Sequence, residues 1–217
     1  MTDDLSKPLL WFIPAVLVLW AATVVGAAQS GALAQLYPPL IAAVVAATIV
    51  IPSVWYFSSQ ALQTYMDRIG HRRIVLFHTW RIPAALLFFW YGLQGQLPPL
   101  FWILAGTGDL IAGSYALWLS FKPETAARYR SFHIFGFTDF VVAVGTGLTY
   151  TLLLDPRMAP IATLPLALVP LFGVGISGAT HLIAFDMLRR GTGLATEKRL
   201  IGAQRAVGQD RLTGAKQ

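Results

Sequence analysis

Six apolar stretches of membrane-spanning length constrain this 217-residue chain more than any other feature. A helix crosses the apolar core of a bilayer, about 30 Å thick, with roughly 20 apolar residues. The sequence has six such windows, at residues 9–28, 38–57, 74–93, 99–120, 132–154 and 163–188. None of them alternates as a strand of a membrane β-barrel does. We therefore predict an all-α membrane protein, with a six-transmembrane-helix bundle over residues 1–188 and a basic cytoplasmic tail over residues 189–217.

The basic residues predict how this bundle is oriented. Of the 16 lysines and arginines, all except Arg81 and Arg157 precede the first window, lie in the second or fourth connection, or follow the sixth window. Such residues collect on the cytoplasmic side of a membrane. We therefore expect both termini in the cytoplasm, and a multi-pass protein of the bacterial inner membrane. The first window is longer than the core of a signal peptide, which favours a retained helix.

The same cations explain the formal net charge of +6 without a nucleic-acid partner. The expected partners are the lipid bilayer and, at the cytoplasmic face, anionic lipid headgroups. A homo-oligomer or another membrane protein stays open as a partner.

Ionisable residues within the apolar windows mark the candidate functional site. A charge at the bilayer centre costs about 2.5–3.5 kcal/mol, so such residues normally face the protein interior and pair with one another. With a rise of about 1.5 Å per residue, Arg81, Asp139 and His181 lie at about the same depth in the membrane, and Asp109 lies deeper. A glycine three residues before each aspartate gives a neighbouring helix room to approach. We predict a buried polar cluster of Arg81, Asp109, Asp139 and His181, with His78 and His133 as secondary members.

Asp186 is interpreted differently from the cluster. It lies near the end of the sixth window, three and four residues before Arg189 and Arg190. This spacing is typical of ion pairs on the surface of one helix. We therefore expect a solvated pair at the helix end.

The charges of the cluster suggest a function. One arginine and two aspartates do not balance, and a buried net charge is costly, so a histidine or a carboxyl group has to take up a proton. This favours a small proton-linked transporter or channel-like protein. The first alternative is a non-transporting membrane scaffold or assembly partner, in which the ion cluster is purely structural. The second is an electron carrier that holds haem b between two histidines.

No cofactor and no metal is predicted. The chain has no cysteine, which excludes thiolate ligands, and no helix carries a metal-binding spacing. Haem b, for which His78 and His133 are the best-matched pair, is a lesser alternative. So is a mononuclear metal site formed by Asp109, Asp139 and His181. Hydrolase, kinase and dinucleotide-binding motifs are missing from the sequence, so an enzyme is the less favoured class.

A succession of short motifs resembles an uncharacterised group of small bacterial multi-pass inner-membrane proteins. It covers roughly Trp80 to His181. The recurring elements are Trp80-Arg81, Gly95 with Pro98, Gly106 with Asp109, Gly136 with Asp139, and Pro170 with His181. No established activity comes with this group. The resemblance supports the fold and the choice of cluster residues, and it implies no reaction.

Overall fold

The computed structural model describes residues 7–194, and this part of the chain is helical without strands. Its eight α-helices are α1 (Lys7–Gln29), α2 (Pro38–Ser58), α3 (Gln60–Ile69), α4 (His71–Phe77), α5 (Arg81–Leu93), α6 (Pro99–Ser120), α7 (Ala126–Leu152) and α8 (Val174–Arg190). Six stretches are long and apolar enough to cross a membrane: Leu10–Gln29, Pro38–Ser58, His71–Leu93, Pro99–Ser120, Ala126–Leu152 and Val169–Arg190. The predicted all-α membrane bundle is confirmed. The tail beyond residue 194 lies outside the described residues.

The third span differs from the continuous helix predicted for residues 74–93. It begins at His71, after Gly70, and a turn of 3₁₀-helix at His78–Trp80 separates α4 from α5. Pro83 explains the break, because its ring lacks an N–H group and crowds the carbonyl four residues earlier. The break sets the direction in which Arg81, the first residue of α5, leaves the backbone.

The fifth and sixth spans have other boundaries than predicted. Helix α7 begins six residues before the predicted residue 132, at the point where the Thr125 hydroxyl accepts a hydrogen bond from the Arg128 N–H and caps the helix. The sixth span begins at Val169 rather than at residue 163, after a 3₁₀ segment at Pro156–Ala162, and its first turn, Val169–Gly173, is a π-helix. Prolines at positions 160, 165 and 170 prevent a regular helix here.

Helix α3 was not among the predicted elements. It is a short amphipathic helix, capped at its start by the Ser59 hydroxyl and ended by Gly70. Its ten residues include Asp67 and Arg68, so the hydropathy pattern that finds membrane spans passes over it. It packs against α2 and α4.

The spans form a bundle in which α6 lies between α5 and α7, while α8 packs against α2 and α7. Helix α1 is peripheral. In its membrane window 6% of the residues are buried, against 67% for Val169–Arg190. Its contact with the bundle includes a hydrogen bond of 2.6 Å from the Trp20 indole to the Leu171 carbonyl.

Successive spans run in opposite directions, so their connections collect at two ends. The charged end comprises residues 59–70, residues 121–125 and the last turn of α8. The apolar end comprises residues 30–37, 94–98 and 153–168. Next to the charged end, Arg72 of α4 pairs with Glu124 at 3.0 Å, which links the third span to the connection between α6 and α7. These two ends give the reference frame for the site.

Candidate functional site

Arg81 is the centre of an ion triplet, which we define as Arg81, Asp109 and Asp139. Its Nε donates to Asp109 Oδ1 at 2.5 Å, and its Nη2 donates to Asp139 Oδ2. A third donor, Nη1, bonds the Gly136 carbonyl at 3.2 Å. The arginine side chain is 3% exposed and each aspartate side chain 9%. The triplet therefore joins α5, α6 and α7 in the interior of the bundle.

Two glycines make room for this arrangement. A methyl group at Gly108 on α6 would overlap the Asp139 carboxylate. A methyl group at Gly136 on α7 would collide with the His181 ring and lie 3.6 Å from Arg81 Nη1. Because glycine has no side chain at these positions, α6, α7 and α8 approach one another closely enough for the polar groups to meet.

His181 lies beside the triplet but forms its hydrogen bond elsewhere. Its Nδ1 is 2.9 Å from Nδ1 of His133, and its ring stacks on His78 with 4.3 Å between the ring centroids. All three side chains are fully buried. We call them the histidine triad. The sequence placed His181 with the aspartates and His78 and His133 in a secondary position, whereas the structure brings the three rings together.

One ring nitrogen from each histidine of the triad lies within 4.8 Å of the others, so these residues could hold a metal ion. The two aspartates of the predicted mononuclear site bond Arg81 instead. For the haem alternative, the ring centroids of His78 and His133 are 6.1 Å apart, and the His181 ring packs against both, at 4.3 and 5.1 Å.

His71 is the remaining histidine of the four in the sequence. Its ring is fully buried near the charged end, with the centroid 6.4 Å from that of His133. Its Nε2 is 3.1 Å from the Thr192 carbonyl oxygen. No role was predicted for His71, because it precedes the predicted third window. Together the four rings extend from the charged end to Arg81.

A cavity of about 170 Å³ begins at the triplet and runs toward the apolar end. Its floor is polar, formed by Arg81, Asp109 and Ser177, beside Trp80, whose indole donates to the Ser177 hydroxyl at 3.1 Å. Its walls are almost entirely apolar, with side chains such as Phe101 from α2, α6, α7 and the residues around Val169–Gly173.

A second cavity of about 180 Å³ continues the first one. The two share Ile41, Thr151, Met158 and Ile161 in their walls, and the second reaches Asp155 in the connection between α7 and the sixth span. Arg81 and Asp109 of the triplet thus lie at the floor of a depression that leads to the apolar end.

A second group of charges lies at the charged end, the Arg190 network of Tyr56, Asp67, Asp186 and Arg190. Arg190 donates to Asp67 at 2.8 Å and to Asp186 and the Tyr56 hydroxyl at 2.7 Å each. Asp186 also accepts from Tyr56 at 2.9 Å. The predicted pairing of Asp186 with Arg189 and Arg190 is confirmed, at 2.8 and 2.7 Å. The predicted solvation was wrong, because Asp186 is 8% exposed where Tyr56 of α2 bonds it.

A family model matches residues 38–189 of the chain: a domain of unknown function, DUF8737. The chain belongs to the DUF8737 family. The match covers the ion triplet and the histidine triad, and it begins where α2 begins, so it leaves α1 outside. It agrees with the resemblance to an uncharacterised group and extends over more of the chain than the predicted motifs. No curated protein and no solved structure matches the chain.

Proposed function

We propose that this DUF8737 protein is a small proton-linked transporter for a mostly apolar solute with an anionic head group. One observation carries the proposal: a charged pair, Arg81 and Asp109, forms the floor of an otherwise apolar cavity within a membrane-spanning bundle. A cavity with apolar walls and a few convergent polar groups is the usual form of a small-molecule site. An ion pair that only held helices together would have no need of such a space.

The charge of Arg81 indicates the sign of the head group. A guanidinium has five N–H donors, arranged to suit carboxylates and other oxyanions. Three of the five bond described partners, which leaves donors for a solute in the cavity. The apolar walls favour a short hydrocarbon chain behind the anionic group, since burying such a chain contributes about 0.8 kcal/mol per CH₂.

Charge balance supplies the link to protons. With both aspartates ionised the triplet carries one excess negative charge, and a second anion would raise it further in a site where buried net charge is costly. A proton on Asp109 or Asp139 would release part of Arg81 for the solute and offset the charge of the solute. The solute and the proton would therefore enter together.

Two irregular stretches of backbone support a site that opens and closes. The 3₁₀ turn at His78–Trp80 and the π-helix at Val169–Gly173 both contribute residues to the cavity wall or lie next to it. Within a membrane, irregular backbone is tolerated where it is buried or lines a cavity, and π-helical turns occur often at functional sites. The cavity leads to the apolar end, while the Arg190 network joins the helices at the charged end.

Proton uptake by proteoliposomes tests the proposal. The purified chain is reconstituted with a pH-sensitive dye inside the vesicles, and butanesulfonate is added outside. A sulfonate keeps its charge, so it does not leak through the bilayer as a neutral acid. We expect internal acidification faster than in empty liposomes when butanesulfonate is present. Butylamine, with the same chain and the opposite charge, should give none.

Three variants assign the effect to the triplet. Arg81→Gln should reduce sulfonate-driven acidification to the rate of empty liposomes, while Asp109→Asn and Asp139→Asn should uncouple proton uptake from sulfonate. Glu124→Gln, in the connection between α6 and α7 at the charged end and outside the walls of both cavities, is the matched control and should behave as wild type. Acidification without sulfonate would indicate a channel. Wild-type vesicles that match empty liposomes for sulfonates of every chain length would overturn the proposal and favour a structural role for the triplet.

A further inference from the structure

We propose that His78, His133 and His181 form a binding site for one divalent transition-metal ion of the zinc and copper class. The site lies next to the ion triplet, on the side toward the charged end. It does not rest on the transport proposal, since none of its ligands belongs to the triplet.

The first support is that nitrogens of three histidine rings lie close together in space. The three histidines come from the 3₁₀ turn before α5, from α7 and from α8, yet one ring nitrogen of each lies within 4.8 Å of the others. Two nitrogens on one zinc ion, each about 2.0–2.1 Å from the metal, lie up to about 4 Å apart. Small rotations of the rings are enough to reach that spacing.

The second support comes from ring nitrogens without a hydrogen-bond partner. Among the described residues, nothing bonds His78 Nδ1, His133 Nε2 or His181 Nε2, and all three residues are fully buried. Buried polar atoms are nearly always paired, and an exception calls for an explanation such as an unseen ion or water. Three exceptions within one cluster mean that the protein itself does not use the full bonding capacity of these rings, which leaves the rings free to turn toward a bound ion.

The chemistry of the ligands selects the ion. Imidazole suits zinc, copper, iron and nickel, whereas magnesium and calcium need oxygen ligands. No thiolate is available, since the chain has no cysteine. Three protein ligands leave a fourth position of a tetrahedral ion open to water or to another small ligand.

The surroundings suit a cation. Arg81 lies close to His181 through Gly136, and this positive charge would repel a metal ion on its own. Its two aspartates offset this charge, and with both ionised they leave the triplet with one excess negative charge. The short contact between Nδ1 of His133 and Nδ1 of His181, 2.9 Å, needs one proton between the two rings. A metal ion would take the place of that proton, and the neutral ring would then carry its proton on Nε2.

Equilibrium dialysis with Zn²⁺ tests the site. The full chain, without an affinity tag and in detergent, is first treated with a chelator and then dialysed against Zn²⁺. We expect one tightly bound ion per chain. Since the sequence has four histidines in all, His71→Gln is the matched control and should leave both stoichiometry and affinity unchanged. His78→Gln, His133→Gln and His181→Gln should each weaken binding by at least about tenfold, a loss that even outer-shell changes at metal sites can cause.

A measurement on the wild-type chain guards against variants that fail to fold. Co²⁺ bound by three imidazoles in a four-coordinate site absorbs visible light, and one equivalent of Zn²⁺ should remove that absorption. The proposal is overturned if the wild-type chain retains no Zn²⁺ and gives no Co²⁺ band. It is also overturned if the three triad variants bind as wild type does, or if His71→Gln loses as much affinity as they do.

Discussion

Two arginines of this protein each bond two aspartates, and the two sites differ in depth, access and origin. Arg81 is 3% exposed and lies at the floor of a cavity. The Arg190 side chain is 25% exposed at the charged end, where it bonds Asp67, Asp186 and the Tyr56 hydroxyl. An arginine bonded to two aspartates therefore occurs in two settings. Arg81 lies beside a space that can hold a solute, and Arg190 lies between packed helix ends.

The comparison shows what distinguishes a binding site from a contact that only holds helices together. The Arg190 network joins the last turn of α8 to α2 and α3, and its members line neither of the two cavities described above. The triplet ties three helices as well, but it does so beside an apolar cavity, and Arg81 keeps unused donors. Access to a cavity, rather than the presence of buried charge, is what makes Arg81 the candidate for function.

The largest expected effect comes from removing the deeper arginine. Arg81→Gln leaves two buried carboxylates without a cation, and breaking a buried ion pair in this way costs about 3–5 kcal/mol. Denaturant-induced unfolding in mixed micelles measures the loss. Adding Asp139→Asn should restore part of the stability, because one carboxylate then remains instead of two. A single variant as stable as wild type would show that the triplet is open to water.

A smaller loss of stability is expected from filling the space that the triplet needs. Gly108→Ala on α6 places a methyl group where the Asp139 carboxylate lies, and such overpacking typically costs about 1–3 kcal/mol. Gly145→Ala on α7 is the control, since a methyl group there meets no atom within 4 Å. The melting temperature of Gly108→Ala should be lower than that of wild type, and that of Gly145→Ala should equal wild type or lie slightly above it. Equal losses would mean that the contact at Gly108 is unimportant.

Arg190, the less buried arginine, should contribute less to stability than Arg81 does. Its contribution should also depend on the salt concentration. Arg190→Gln removes a partly exposed group, for which a loss of about 1 kcal/mol is typical. At about 1 M salt the screening length falls to about 3 Å, so most of this loss should vanish. The loss for Arg81→Gln should persist at the same salt concentration. Unfolding measured at low and high salt decides whether the two arginines differ as their burial implies.

The smallest effect concerns the ion pair of the exposed Arg157 with the half-buried Asp155 at the apolar end. Hydrogen bonds from Arg157 lower the pKa of Asp155 at the apolar end. A lowered pKa in the folded state contributes stability that is present above the ordinary pKa of an aspartate and is lost as the pH falls through the lower folded value. Melting temperature against pH should therefore show an acid-side decline that is slightly steeper in wild type than in Asp155→Asn. An identical decline in both proteins would contradict this assignment.

Local patterns in the sequence predicted part of both arginine sites. Asp186 and Arg190 are four residues apart on one helix, so the helical repeat alone pairs them. The polar partners of Arg81 were also expected, because a charge within an apolar window has to meet opposite charges from other helices. Asp67 and Tyr56 could not be foreseen as partners of Arg190. Their contacts depend on α3, a short amphipathic helix that membrane hydropathy does not reveal.

The sequence by itself determined the six spans and the need for ionisable residues to face inward, because hydropathy and charge act residue by residue along the chain. Tertiary structure alone decided which inward-facing groups meet. Prolines displaced the start of the sixth span, the 3₁₀ turn at His78–Trp80 redirected His78, and glycines let α7 and α8 approach, so His181 joined two histidines instead of the aspartates. Such choices depend on a few ångströms of helix position and rotation, which no periodicity in a single sequence specifies.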